Sequence, residues 1–121
     1  MSKRILVIED QEDNRRIMRD LLTSAGYEII EALTAEAGVA AAETHRPALI
    51  LMDIQLPDFD GYEATRRIKA NPDLRAIPII AVTSYALSGD DVKAYEAGCD
   101  AYVSKPFSPR ALLAKIREFL T

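Results

Sequence analysis

Four short runs of the chain are continuously apolar: Ile5-Leu6-Val7-Ile8, Leu49-Ile50-Leu51-Met52, Ile79-Ile80-Ala81-Val82 and the weaker Ala101-Tyr102-Val103. Runs of this length without polar alternation predict parallel strands covered on both faces. A fifth run, Tyr27-Glu28-Ile29-Ile30-Glu31-Ala32, carries two carboxylates. It reads as a strand with an exposed edge and belongs outermost in the sheet.

Helical patterns fill the gaps. From Glu12 to Ala25 the residues Ile17, Leu21, Leu22 and Ala25 share a face, and Gly26 supplies the stop. Thr34 can cap a second, Ala-rich helix that must end before Pro47, and Asp60 can cap a third that ends near Asn71-Pro72. Ser88 followed by Asp91 reads as a capping box for a fourth, closed by Gly98. The fifth has Ser108 as cap, Pro109 at its first position, and Leu112, Leu113, Ile116, Phe119 and Leu120 on one stripe.

Strands alternating with helices make an α/β domain with a doubly wound parallel sheet, because right-handed crossovers lay each helix on a sheet face. With the polar second strand at one edge and the short fifth at the other, strand order 2-1-3-4-5 is the simplest arrangement. It sets strands one and three side by side, and their carboxyl ends form the crevice where such sheets bind ligands.

A length of 121 residues leaves room for one domain, residues 1–121, without linker or repeat. The net charge of -4 cannot neutralise a phosphate backbone over the domain as a whole, so nucleic acid is not an expected partner. Cys99 is the sole cysteine, which excludes an internal disulfide and a cysteine metal cage and suits a cytoplasmic protein. No apolar stretch approaches the roughly 20 residues that span a bilayer, and Met1-Ser2-Lys3-Arg4 leads straight into a strand pattern instead of a signal peptide. No membrane association is expected.

The chemistry lies where the strands stop. Glu9-Asp10 follow strand one, Asp53 strand three, Thr83-Ser84 strand four and Lys105-Pro106 strand five. All fall on one rim. Converging carboxylates repel one another, so a hard divalent cation or an ammonium must compensate. Mg2+ suits oxygen-only ligands and keeps waters beside one or two carboxylates and a phosphate. With a hydroxyl and a lysine in reach, these are the parts for phosphoryl transfer, and Asp53 is the expected nucleophile, forming an acyl phosphate. Glu12, Asp13, Asp58 and Asp60 read as solvated loop residues or helix caps.

The motifs Val7-Ile8-Glu9-Asp10, Leu51-Met52-Asp53-Ile54-Gln55-Leu56-Pro57, Asp60-Gly61, Val82-Thr83-Ser84 and Lys105-Pro106-Phe107 carry a resemblance. Over essentially its full length the chain resembles a response-regulator receiver domain of bacterial two-component signalling, including single-domain regulators of the cell-fate type and the receivers of hybrid kinases. The resemblance implies a flavodoxin-like (βα)5 fold and a phosphorylation-activated switch. Asp53 would accept phosphate from a sensor histidine kinase or a histidine phosphotransfer protein. Asp10 and Asp53 would bind Mg2+ directly, Glu9 through water, and Gln55 through its main-chain carbonyl. Thr83 and Lys105 would contact the phosphoryl oxygens, and Tyr102 would rotate inward as the Thr83 hydroxyl moves. Glu9 stands where many members have Asp, and Ser84 where many have Ala. The Lys105-Pro106 bond would be cis.

Outside these motifs, His45 reads as a cation suited to a helix end, Cys99 as a small core residue, and Arg15-Arg16 and Arg66-Arg67 as solvated helix faces. A flavodoxin-type electron carrier would need a phosphate-cradling loop after strand one, where this chain has Asp10-Gln11-Glu12-Asp13. A phosphatase of the haloacid dehalogenase type would need a second acid where Gln55 stands, so an enzyme acting on outside phosphate esters is not expected. An interaction module that works without phosphorylation and a phosphate-carrying relay intermediate are the remaining alternatives. The chain ends with helix five, so output is expected through a downstream target protein that meets helix four, strand five and helix five, with helix one docking the phosphodonor.

Overall fold

Every predicted run becomes a strand and every amphipathic interval a helix in the computed structural model, which describes residues 3–83, 90–105 and 108–120, with backbone alone at Asp90 and Asp91. The order is β1 (Arg4–Ile8), α1 (Glu12–Ser24), β2 (Glu28–Ala32), α2 (Ala35–His45), β3 (Leu49–Asp53), α3 (Gly61–Ala70), β4 (Ile79–Thr83), α4 (Asp90–Ala97), β5 (Ala101–Ser104) and α5 (Pro109–Leu120). The sheet is parallel throughout and runs β2-β1-β3-β4-β5, the expected order. β3 and β4 are buried along their whole length, whereas β2 shows Glu28 and Glu31 to solvent at the edge.

Side chains alternate across the sheet and so build two cores. Leu6, Ile8, Ile50, Met52, Ile79 and Ala81 pack with α2, α3 and α4. Ile5, Val7, Leu49, Leu51, Ile80 and Val82 pack with α1 and α5. The stripe of α5 is as expected, with Leu112 and Ile116 fully buried at its centre. That of α1 is rotated by one position. Ile17 is 51% exposed and Met18 is 2% exposed, so Met18 and Leu22 form the buried pair, Leu21 lies half-buried beside them, and Ala25 is the exposed cap. Adjacent apolar residues 100° apart on a helix compete for the same core face, and the i, i+4 pair that points at the sheet wins.

The caps follow local chemistry. Thr34 Oγ1 accepts from the Ala37 amide at 3.0 Å, and Asp60 Oδ1 accepts from the Glu63 amide at 2.8 Å. Ser108 Oγ accepts from the Ala111 amide at 3.3 Å. Ser88, expected to cap α4, lies outside the described residues. Gly26 and Gly98 end α1 and α4 with φ of +94° and +111°, a left-handed backbone that glycine adopts without a Cβ clash. Asp58 is a cap too, but of a distant helix: its two carboxylate oxygens accept from the Ala35 and Glu36 amides at 2.9 Å each, tying the β3–α3 loop to the start of α2. Glu12 and Asp13 lie exposed in the first turn of α1, and His45 lies exposed in the last turn of α2. Cys99 is buried, and burial pushes its thiol up, away from redox reactivity. Arg66 and Arg67 are surface residues that share Glu63, and Arg67 also stacks 4.0 Å over the Phe59 ring. No helix among the described residues is long and apolar enough to cross a membrane.

α3 begins hard against the end of β3. The Gly61 amide donates to the Ile54 carbonyl at 2.9 Å, and a Cβ at Gly61 would overlap the Asp53 carbonyl oxygen and lie 2.9 Å from the Ile54 Cα. Backbone atoms cannot swing aside as a side chain can. Gly61→Ala is therefore expected to cost about 1–3 kcal/mol by overpacking, read by urea denaturation, and to shift the Asp53 and Ile54 amide resonances. A variant as stable as the parent with unmoved resonances would show that the contact does not limit the fold.

Candidate functional site

The strand register brings the rim residues level. Ile8 pairs with Met52, Asp53 with Val82, and Thr83 with Ser104, so β1, β3, β4 and β5 stop within about a residue of one another. Past β1 the chain holds its course for one residue, the Glu9 amide donating to the Ala32 carbonyl at 3.0 Å. Glu9 and Asp53 are then 1% and 3% exposed, while Asp10 stands exposed beside them. Carboxylate oxygens of Glu9, Asp10 and Asp53 all lie within 4.8 Å of one another.

Lys105 closes the group from the far strand. Its amide donates to the Thr83 carbonyl at 2.7 Å, and its Nζ donates to Glu9 Oε1 at 2.7 Å and reaches Asp53 Oδ1 at 3.4 Å. Main-chain amides add to this, Gln11 to Glu9 Oε2 at 3.3 Å and Gln55 to Asp53 Oδ1 at 3.2 Å.

One ammonium serves two buried carboxylates, and the electrostatics show the shortfall. Burial, then the hydrogen bond and negative charge of Glu9, push the Asp53 carboxyl up to about 7, against the opposing pull of Lys105 and the Gln55 amide. Burial acts upward on Glu9 as well, but its hydrogen bonds to Asp53 and Lys105 hold it below the ordinary carboxylate range. Among its own groups, then, the site is left with an excess of negative charge that favours the protonated form of Asp53. A divalent cation would relieve that charge without a proton, and the donor set fits it: three carboxylates, oxygen atoms only, one of them open to water. Ionised in that way, Asp53 would be a buried carboxylate beside a fixed ammonium, a set of parts suited to phosphoryl transfer.

The other expected site residues divide by position. Thr83 is fully buried at the end of β4, on the α4 side of the sheet with Ala81. Tyr102 is half-buried in β5, opposite Ala81, and packs against the same core rather than at the rim. Gln55 is exposed in the loop after Asp53. Ser84, Pro106 and Phe107, with the expected cis bond, lie outside the described residues. Arg15 departs from expectation. Arg16 is exposed, but the Arg15 side chain is only 14% exposed, and its Nη1 donates to the Glu9 and Asp10 carbonyls at 3.2 and 3.0 Å. The one available signal was that a residue four after Gln11 on a helix starting at the rim faces back over the preceding turn.

Known proteins share this architecture. Residues 5–117 match the family described as the response regulator receiver domain. The chain is 42% identical over 120 residues to the polar-differentiation response regulator DivK of Brucella anthropi, covering 99% of this chain and 98% of that one. The receiver domain of sensor histidine kinase PA1611 from Pseudomonas aeruginosa PAO1, solved with a magnesium ion coordinated in its active-site cleft, is 37% identical. It superimposes with a TM-score of 0.92 over 99% of this chain and 98% of that one. A CheY-like response regulator receiver domain protein from Methanospirillum hungatei JF-1 gives 0.88 at 39% identity over 98% and 93%. A fold, an acidic rim and a family match that agree over nearly the whole chain place this protein among the response regulator receiver domains of two-component signalling.

Proposed function

We propose that Asp53 accepts a phosphoryl group from the phosphohistidine of a sensor histidine kinase or a histidine phosphotransfer protein, and that residues 1–121 act as one cytoplasmic receiver unit signalling by protein contact. The observation that carries this reading is the buried Asp53 carboxyl, grouped with Glu9 and Asp10 and within 3.4 Å of the Lys105 ammonium. An Asp53 oxygen attacks phosphorus, the P–N bond breaks, and the histidine nitrogen leaves with the electron pair, giving an acyl phosphate. Asp10 and Asp53 would hold Mg2+ directly, Glu9 through water and Gln55 through its main-chain carbonyl, and the ion when bound would supply positive charge to the transferring oxygens. Lys105 neutralises the same oxygens and Thr83 donates its hydroxyl. The chemistry is confined to the chain's own phosphorylation and dephosphorylation.

Input and output take different faces. The exposed Ile17 gives α1 an apolar contact for a phosphodonor, and Val92 and Tyr95, 52% and 53% exposed on α4, give one to a target across α4, β5 and α5. Thr83 and Tyr102 lie on the α4 side of the sheet, so a shift of the first toward the phosphoryl group opens space for the second.

Asp53→Asn, nearly isosteric but unable to form the acyl phosphate, is expected to fold and to abolish labelling by a phosphohistidine donor; Asp10→Asn is expected chiefly to weaken Mg2+ binding. Undiminished labelling of Asp53→Asn would reassign the nucleophile. Thr83→Ala is expected to leave Mg2+ affinity nearly unchanged and to blunt the response of α4 and β5 resonances to beryllium fluoride; Lys105→Ala, which takes the ammonium away from Glu9 and Asp53, is expected to tighten Mg2+ binding while blunting the same response. A full parental shift pattern in Thr83→Ala would remove Thr83 from the switch.

The proton on Asp53 gives a pH dependence of definite sign. Its folded pKa lies above the ordinary value, about 7 against 3.8, so between those limits the folded protein binds more protons than the unfolded chain. In chelator, stability should therefore fall by a few kcal/mol, roughly, as pH rises from about 4 to about 7, and Mg2+ should stabilise more at pH 8 than at pH 5. Thermal melts with and without Mg2+ read this, and a chelated protein that grows more stable over that range would contradict it.

A further inference from the structure

We infer that Arg15, oriented by Glu31, is a positioning residue that sets the turn presenting Glu9 and Asp10 to a divalent cation; this rests on the reading of the site given above. The guanidinium joins two places at once. Its Nη1 donates to the carbonyls of Glu9 at 3.2 Å and Asp10 at 3.0 Å, and its Nε lies 3.5 Å from Glu31 Oε1. Glu31 is itself held from α1 by Arg19, whose Nε and Nη2 donate to its two oxygens at 2.9 and 2.7 Å. Edge strand, helix and acidic turn are thereby joined through one fork.

Two consecutive carbonyls aimed at one guanidinium orient two consecutive peptide planes, and those planes decide the directions in which the Glu9 and Asp10 side chains leave the backbone. The start of α1 adds only the Gln11 amide, which donates to Glu9 Oε2 at 3.3 Å, and no side-chain cap from Gln11. A lysine has one ammonium and cannot span both the carbonyls and Glu31.

Charge and positioning predict opposite signs, which makes the inference testable. Arg15 is a cation close to a cation site, so by charge alone its removal should tighten Mg2+ binding. If it orients the ligand-bearing turn, removal should loosen binding, by about tenfold on the usual scale for groups that orient metal ligands. Mg2+ titrations by calorimetry and by amide NMR would compare the parent protein with Arg15→Met, Arg15→Lys, Arg19→Met and Asp10→Asn. Arg15→Met is expected to weaken Mg2+ about tenfold and, without Mg2+, to shift the Asp10 and Gln11 amides. Arg15→Lys, which keeps the charge, is expected to weaken it several-fold, and Arg19→Met, at a more exposed pair, by less than about twofold.

Should Arg15→Met not fold, Arg15→Lys decides alone: weaker binding supports the inference and unchanged binding overturns it. Equal or tighter binding by folded Arg15→Met overturns it as well. If that occurs while the parent binds Mg2+ and Asp10→Asn binds it weakly, the reading of the site stands and only the role of Arg15 fails. A parent protein that binds no Mg2+ overturns both.

Discussion

A single ammonium between two buried carboxylates is the interaction on which the rest of this structure depends. Glu9 and Asp53 are almost wholly removed from water, and an unpaired buried carboxylate is costly enough that it protonates or finds a partner. The partner comes from far along the chain: Lys105 is 96 positions from Glu9 and 52 from Asp53. It arrives only when β4 and β5 have joined the sheet, because its backbone is tied to the end of β4 through the Thr83 carbonyl. The site is therefore a property of the completed sheet, and no local segment holds it. Its charge balance is left short by design of the strands, whose apolar runs stop one residue before the acids and so bury them at the boundary instead of releasing them into solvent.

The surrounding contacts hold that boundary from several directions. Gly61 lets α3 start against the Asp53 carbonyl, where any Cβ would intrude. Asp58 fastens the loop after Asp53 to the start of α2 through two amides, and Arg15 grips the carbonyls of the opposite loop. Each of these residues supports the backbone that carries an acid, and none adds a carboxylate to the cluster itself. Rigid placement matters here because a metal ligand or nucleophile displaced by an ångström loses much of its effect.

Most of the fold and the acidic cluster were legible in the sequence because both follow from local pattern. Continuous apolar runs of four, set between helical patterns, read as strands covered on both sides, the edge strand declares itself by Glu28 and Glu31, and a residue that ends such a strand must lie at the rim. What was not legible depends on rotation or on distant partners. Ile17 and Met18 are equally apolar neighbours, so the pattern could not say which faces the sheet. Asp58 was readable as a cap, but not as the cap of a helix that starts 23 residues earlier. Arg15 sits in a doublet with Arg16 that looks like any solvated helix face, and its partners are main-chain carbonyls, which have no sequence signature. Residues whose function depends on their own side chain at a strand end can be read; those that act by holding another segment's backbone cannot.

The alternation of side chains across the sheet gives the proposed switch its direction. Asp53 shares strand parity with Leu49 and Leu51, whose side of the sheet is covered by α1 and α5, whereas Thr83 shares parity with Ile79 and Ala81, on the side covered by α2, α3 and α4. Tyr102, opposite Ala81, packs on that second side too. Yet β3 and β4 are adjacent and end level, so Asp53 and Thr83 stand next to each other at the rim while their side chains belong to opposite faces. At the rim the two faces meet without the sheet between them. In the proposed switch, a group added to Asp53 would be reached from above by the Thr83 hydroxyl, and the adjustment this demands would pass into the α4 face and not into the face covered by α1 and α5. In that reading the change is felt first at α4 and β5, because packed neighbours on one face respond together, while α5 shares the opposite face with α1 and would meet a target only where it borders the β5 edge.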